Sequence, residues 1–69
     1  MMENLNEIMR VNLKKERAGS LMTTSEIAKV LGIDRKTLAK YEKTPINVPI
    51  VKLAKLCEIY GCTVKSLMD

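Results

Sequence analysis

Apolar residues recur along the chain at helical spacing, in short blocks broken by turn residues. Leu5, Ile8, Met9 and Leu13 predict a first helix over Leu5–Arg17, with Asn4 as its start cap and Gly19, within Ala18-Gly19-Ser20, as its stop. A second helix is expected over Ser25–Leu31. Ile27, Ala28, Val30 and Leu31 cover one side of it, and Ser25, Glu26 and Lys29 the other. Thr24 is its first choice of N-cap, Thr23 is nearly as good, and Gly32 stops it. Asp34 is a natural cap for a third helix, Arg35–Lys43, which Pro45 prevents from extending. Thr44–Val48 reads as a loop, and Pro49 suits the first turn of a fourth helix over Ile50–Tyr60. There Ile50, Leu53, Ala54, Leu56, Cys57 and Tyr60 share a face, opposite Lys52, Lys55 and Glu58. Gly61 ends it, and Thr63 caps a last short helix, Val64–Met68. No segment alternates with period two. The pattern therefore predicts an all-α, five-helix fold as a single domain over residues 1–69.

Composition narrows this picture. The chain has 69 residues, 46% of them hydrophobic, with no Phe and no Trp. Aliphatic side chains and Met must fill a small core of modest stability. Twelve basic against eight acidic residues leave a net charge of +4, which attracts polyanions. Cys57 and Cys62 both fall on apolar stripes, and there is no His. Buried free thiols in a reducing, cytoplasmic setting are expected, and neither a metal site nor a cofactor. The N-terminal stretch mixes Glu3, Asn4, Asn6 and Glu7 with apolar residues, unlike a signal peptide, and no apolar run is long enough to span a bilayer. No Ser or Cys stands beside a plausible base and no Gly-rich phosphate loop occurs, so an enzyme is not expected.

The stretch Thr24–Glu42 carries the functional signal. Two short helices flank the tight turn Gly32-Ile33-Asp34, a length that sets them at a steep angle. Ala28 is small, on the inner face, and admits close approach of the second helix. On that second helix Arg35, Lys36, Ala39, Lys40 and Lys43 fall within one arc of roughly 140° at 100° per residue. Thr37, Leu38 and Tyr41 point the other way. A cationic helix with a small residue at its centre fits the DNA major groove. Arg and Lys there can donate to guanine O6 and N7, and the Ala39 methyl can meet a thymine methyl.

The residues from Thr24-Ser25-Glu26-Ile27-Ala28 through Leu31-Gly32-Ile33-Asp34 to Leu38-Ala39-Lys40-Tyr41-Glu42 resemble the core of the Xre/Cro/phage-repressor, or lambda-repressor-like, helix-turn-helix family. The resemblance continues in Leu53-Ala54-Lys55-Leu56-Cys57 and in Leu56–Met68 generally, where Cys57 takes a usual Ala position and Cys62 a usual Val position. It implies a phage or prokaryotic transcription regulator that reads double-stranded DNA. Arg35, Lys36, Ala39 and Lys40 would be its base-reading residues, and Thr24, Ser25, Lys43, Thr44 and Asn47 its phosphate contacts. It also implies a homodimer on an operator, with no membrane and no small-molecule ligand, and a Cro-like or small stand-alone repressor. Glu42 matches a carboxylate that pairs with a first-helix arginine. Alignment puts Lys14 at that position, with Arg10 and Arg17 as substitutes. The sequence departs from the family at Thr24, where Gln is usual, at Thr44-Pro45, where a glycine is usual, and in a first loop, Ala18–Met22, about three residues longer. Ile59, apolar on the outer face of the fourth helix, and Met68 are candidate dimer contacts. The competing function is a protein-interaction module on the same fold, an antitoxin or antirepressor. RNA binding is disfavoured because Tyr41 and Tyr60, the only aromatic residues, sit at core positions.

Overall fold

The computed structural model describes residues 2–69. Met1, where the expected domain begins, lies outside the described residues. The chain forms α1 (Met2–Ala18), α2 (Thr24–Leu31), α3 (Arg35–Lys43), α4 (Ile50–Tyr60) and α5 (Val64–Leu67). A 3-10 turn, Pro45–Asn47, joins α3 to α4. No strand occurs among the described residues, so the all-α, five-helix expectation holds, with α3 and α4 at their expected bounds.

Every helix contributes to one core. Met9 and Leu13 come from α1, Ile27, Ala28 and Leu31 from α2, Leu38 from α3, Leu53, Leu56 and Cys57 from α4, and Leu67 from α5. Val48 and Pro45 add the α3–α4 connection. Fully burying a Leu or Ile stabilises by about 1.5–3 kcal/mol. With no Phe or Trp, and with Tyr41 and Tyr60 only partly buried against the core, these few aliphatic side chains do most of the work of holding the domain together. Ile8, Val30, Ile50 and Ala54, expected on the inner faces, are exposed instead. Each lies roughly 70–110° from the centre of its helix's buried arc, on an edge left open to solvent. Ile59, expected outside, is half-buried against the core.

Helix ends explain the boundaries. Thr23, not Thr24, caps α2: its hydroxyl accepts from the Glu26 amide, and the Glu26 carboxylate accepts from the Thr23 amide at 2.8 Å. This reciprocal pair satisfies two otherwise free donors, which Thr24 is not placed to do. The Thr23 amide also holds the Glu26 carboxyl below its usual range. Asn4 lies inside α1, which already starts at Met2. Gly19 closes the last turn of α1 through its amide to Lys15 O at 3.2 Å, but without the left-handed conformation. The expected loop Thr44–Val48 contains the 3-10 turn, and the last helix stops one residue early, at Leu67.

Three helix C-termini are finished by side chains from distant helices. Lys52 Nζ donates to Leu31 O at 2.7 Å at the end of α2. Asn12 donates to Leu67 O at 2.8 Å at the end of α5. Asn6 donates to Lys43 O at the end of α3 and accepts from the Ile46 amide at 3.2 Å. These bonds satisfy carbonyls that a helix leaves without an internal partner.

Candidate nucleic-acid interface

The turn that presents α3 is fixed locally. Gly32 adopts φ 72° and ψ 31°, and its amide closes on Lys29 O while Ile33 N reaches Ala28 O at 3.0 Å. Only a residue without a Cβ adopts this left-handed cap at no cost. Ile33 then tucks against the core, and Asp34 Oδ1 accepts from the Thr37 amide at 2.7 Å. Hydrogen bonding from the Thr37 side chain, and then from its amide, holds the Asp34 carboxyl below its ordinary range. The carboxylate sits at the positive end of the α3 dipole.

On α3 the buried Leu38 and the half-buried Thr37 and Tyr41 face the domain. Arg35, Lys36, Ala39, Lys40 and Lys43 are all exposed, as the helical arc predicts. Four cations and one methyl thus line the outer face of a nine-residue helix whose inner face is anchored. The arrangement is suited to enter the major groove and to donate hydrogen bonds to base edges.

The expected phosphate contacts surround this helix. Ser25 is exposed in the first turn of α2, and Asn47 is exposed at the end of the 3-10 turn. Thr24 is half-buried, and its hydroxyl oxygen accepts from Arg17 at 2.8 Å. With an acceptor lone pair taken, its O–H is left to donate outward. Thr44 differs: its hydroxyl and its amide both donate to Lys40 O, at 3.1 and 2.9 Å, so it must release a helix carbonyl before it can donate to a phosphate.

Glu42 finds its partner in Arg17, at 2.8 Å, rather than in the aligned Lys14. The same guanidinium holds Thr24, so one side chain of α1 ties the start of α2 to the end of α3. The Glu42 side chain is 16% exposed, which gives this pair more weight than a fully solvated ion pair. The roles of Arg17 towards Thr24 and of Asn6 towards the α3 exit are absent from the sequence reading. Asn6 meets residues 37 and 40 positions away, and Arg17 reaches Thr24 across the loop between α1 and α2, so neither contact follows from the periodicity of a single helix.

Neither cysteine is paired. Cys57 is buried and Cys62 half-buried, in contact with each other. Burial, and then the neighbouring Cys62, push the Cys57 thiol up to about 12. Burial likewise pushes the Tyr60 hydroxyl up to about 12, and it has no hydrogen-bond partner among the described residues. Among those residues no group of His, Cys, Asp and Glu is placed to hold a metal ion, and no helix is long and apolar enough to cross a membrane.

Two short helices joined by a three-residue turn, the second cationic and exposed, define a helix-turn-helix DNA-binding domain. The sequence pattern of the Cro/C1-type HTH DNA-binding domain matches residues 12–69, and the chain belongs to that family. It is also 35% identical, over 49 residues, to a Methanosarcina barkeri protein named as an HTH-type transcriptional regulatory protein. That match covers 71% of this chain but 15% of the relative's length. No solved structure matches the chain significantly.

Proposed function

We propose that the chain is a sequence-specific regulator of transcription that reads an operator with α3. Arg35, Lys36, Ala39 and Lys40 face the bases; Thr24, Ser25, Lys43 and Asn47 hold the phosphates, with Thr44 joining them only if it leaves Lys40 O. The observation that carries the reading is the outer face of α3, exposed and cationic over its whole length, on a helix locked at its start by Gly32 and Asp34. The family description supports DNA as the ligand, and the name of the Methanosarcina barkeri relative supports a role in transcription. Repression by occupying the operator is the proposed mode, because it asks nothing of the domain beyond binding.

Binding is proposed to be as a pair of copies on a site whose half-site centres lie about 34 Å apart, one turn of DNA. Ile50 and Val51, 65% and 74% exposed in the first turn of α4, are better candidates for contact between copies than Ile59, which packs inward.

Selection from random duplex DNA, followed by affinity measurements on the selected and on unrelated duplexes, tests the reading. Arg35→Ala and Lys36→Ala are expected to cost about 1–3 kcal/mol on the selected sequence and little elsewhere. Lys43→Ala should weaken both affinities alike. If neither Arg35→Ala nor Lys36→Ala changes the ratio of specific to non-specific affinity, α3 does not read bases.

A further inference from the structure

One charged feature extends from the helix-turn-helix onto α1. An open groove of about 330 Å³ between α1 and the end of α3 is lined by Arg10, Lys14, Arg17, Glu42 and Lys43. Four of these five side chains are cationic, and the lone carboxylate is already bound by Arg17 at 2.8 Å. Lys14 and Lys43 are exposed and have no acidic partner within 4.0 Å among the described residues. Arg10 pairs with Glu7 at 2.7 Å, but both side chains are about half exposed. An ion pair that open contributes little and exchanges readily for another anion.

The groove's position gives this charge a use. Arg17 reaches from α1 to the hydroxyl of Thr24, at the edge of the domain where a phosphate is expected. Lys14 and Arg10 stand three and seven residues before Arg17 in α1, hence one and two turns back along the same face. Seven residues of helix span roughly 10 Å, and duplex DNA carries one negative charge per 1.7 Å or so of its axis. Lys43 closes the row from the α3 side. A purely solvated face gains nothing from this alignment. A row of cations leading away from the hydroxyl expected to meet a phosphate is spaced to follow the DNA backbone.

We propose that Lys14 and Arg10 of α1, with Lys43 across the groove, form a second row of phosphate contacts to the duplex whose bases α3 reads. This rests on the reading of the domain as DNA-binding, and it extends the interface onto a helix to which no DNA contact is otherwise given. Arg10 exchanges Glu7 for a phosphate on binding, and Lys14 uses a charge that the fold leaves free. These contacts carry no sequence information; they set affinity and its dependence on salt.

The test is the slope of log affinity against log salt concentration on a mixed-sequence duplex, where phosphate contacts act without base reading. Each lost contact lowers the slope by about 0.9. Lys14→Ala and Arg10→Ala should each lower it by that amount, and the double variant by about twice as much. Lys55→Ala, on the outer face of α4, is the control and should leave it unchanged. All three are exposed positions, and circular dichroism confirms that the variants fold. A double variant with the wild-type slope overturns the proposal, whether or not α3 reads bases. Wild-type protein that binds no duplex overturns both readings. A slope that falls in the double variant while Arg35→Ala and Lys36→Ala leave specificity unchanged upholds the α1 contacts and rejects base reading alone.

Discussion

The domain uses one turn twice. After α2, Gly32 sits at φ 72° and ψ 31°; after α4, Gly61 sits at φ 74° and ψ 29°. In both, the glycine amide closes on the carbonyl three residues back, and the next amide reaches five residues back. In both, the residue after the glycine, Ile33 or Cys62, packs on the core, and the one after that, Asp34 or Thr63, caps the following helix. Yet one turn leads to a nine-residue helix with an exposed cationic face, and the other to the four-residue α5 ending on the buried Leu67. The turn alone therefore does not make a DNA-reading motif. It sets the angle at which the next helix leaves, and that helix's length and outward residues decide whether the angle serves recognition or closes the core.

The largest expected effect falls on the anchors of the two following helices. Leu38 and Leu67, 0% and 1% exposed, each seat one of them. Leu38→Ala and Leu67→Ala should each cost about 2–5 kcal/mol in denaturant unfolding. A cost under about 1 kcal/mol for Leu67→Ala would show that α5 is an appendage, and the parallel between the turns would break.

Next come the glycines. A side chain in the left-handed region costs roughly 1–2 kcal/mol, or about 4–8 °C in Tm per kcal/mol for a domain of this size. An added Cβ at Gly32 meets Lys52 Nζ only at 3.9 Å, and at Gly61 nothing within 4 Å, so Gly32→Ala and Gly61→Ala should lower Tm about equally. Only Gly32→Ala should weaken specific DNA binding, measured well below both melting temperatures. Equal losses of affinity would mean that α5 is as close to the DNA as α3.

The caps separate the turns by pH. Asp34 has its folded pKa lowered by hydrogen bonding from Thr37, so its contribution is present above the unfolded value near 3.8 and is lost as pH falls through the lowered folded value. Comparing wild type with Asp34→Asn cancels the other carboxylates. The difference in Tm should shrink as pH drops below about 4. Thr63 does not titrate, and Thr63→Asn should show no such trend. A pH-independent difference at Asp34 would remove the charge from the account of that turn.

The smallest effect is chemical. Cys62 takes the place that Ile33 holds in the other turn, and it is half-buried while Cys57 is buried with its thiol pushed up to about 12. Titration with a thiol reagent at neutral pH should count two free thiols after unfolding. In the folded protein it should modify Cys62 well before Cys57. Faster reaction at Cys57 would contradict the buried end of this turn.

What the sequence determined alone is local. Gly32, Gly61, Asp34 and Thr63 act on amides and carbonyls a few residues away, so the two turns, the limits of α3 and α4 and the cationic arc of α3 were legible from spacing. The choice between Thr23 and Thr24 as cap was nearly so, and went to the residue whose third neighbour is Glu26. Tertiary structure decided the rest, because it depends on which faces meet. Ile50 and Ala54 fit an apolar stripe, but no helix covers that edge of α4, whereas Ile59 lies against the core. Asn6 and Lys52 look like solvated surface residues, and become caps only where α1 passes the end of α3 and α4 passes the end of α2. Arg17, rather than Lys14 or Arg10, meets Glu42 because side chains 25 residues apart are matched by the packing of α1 on α3, which no local spacing encodes.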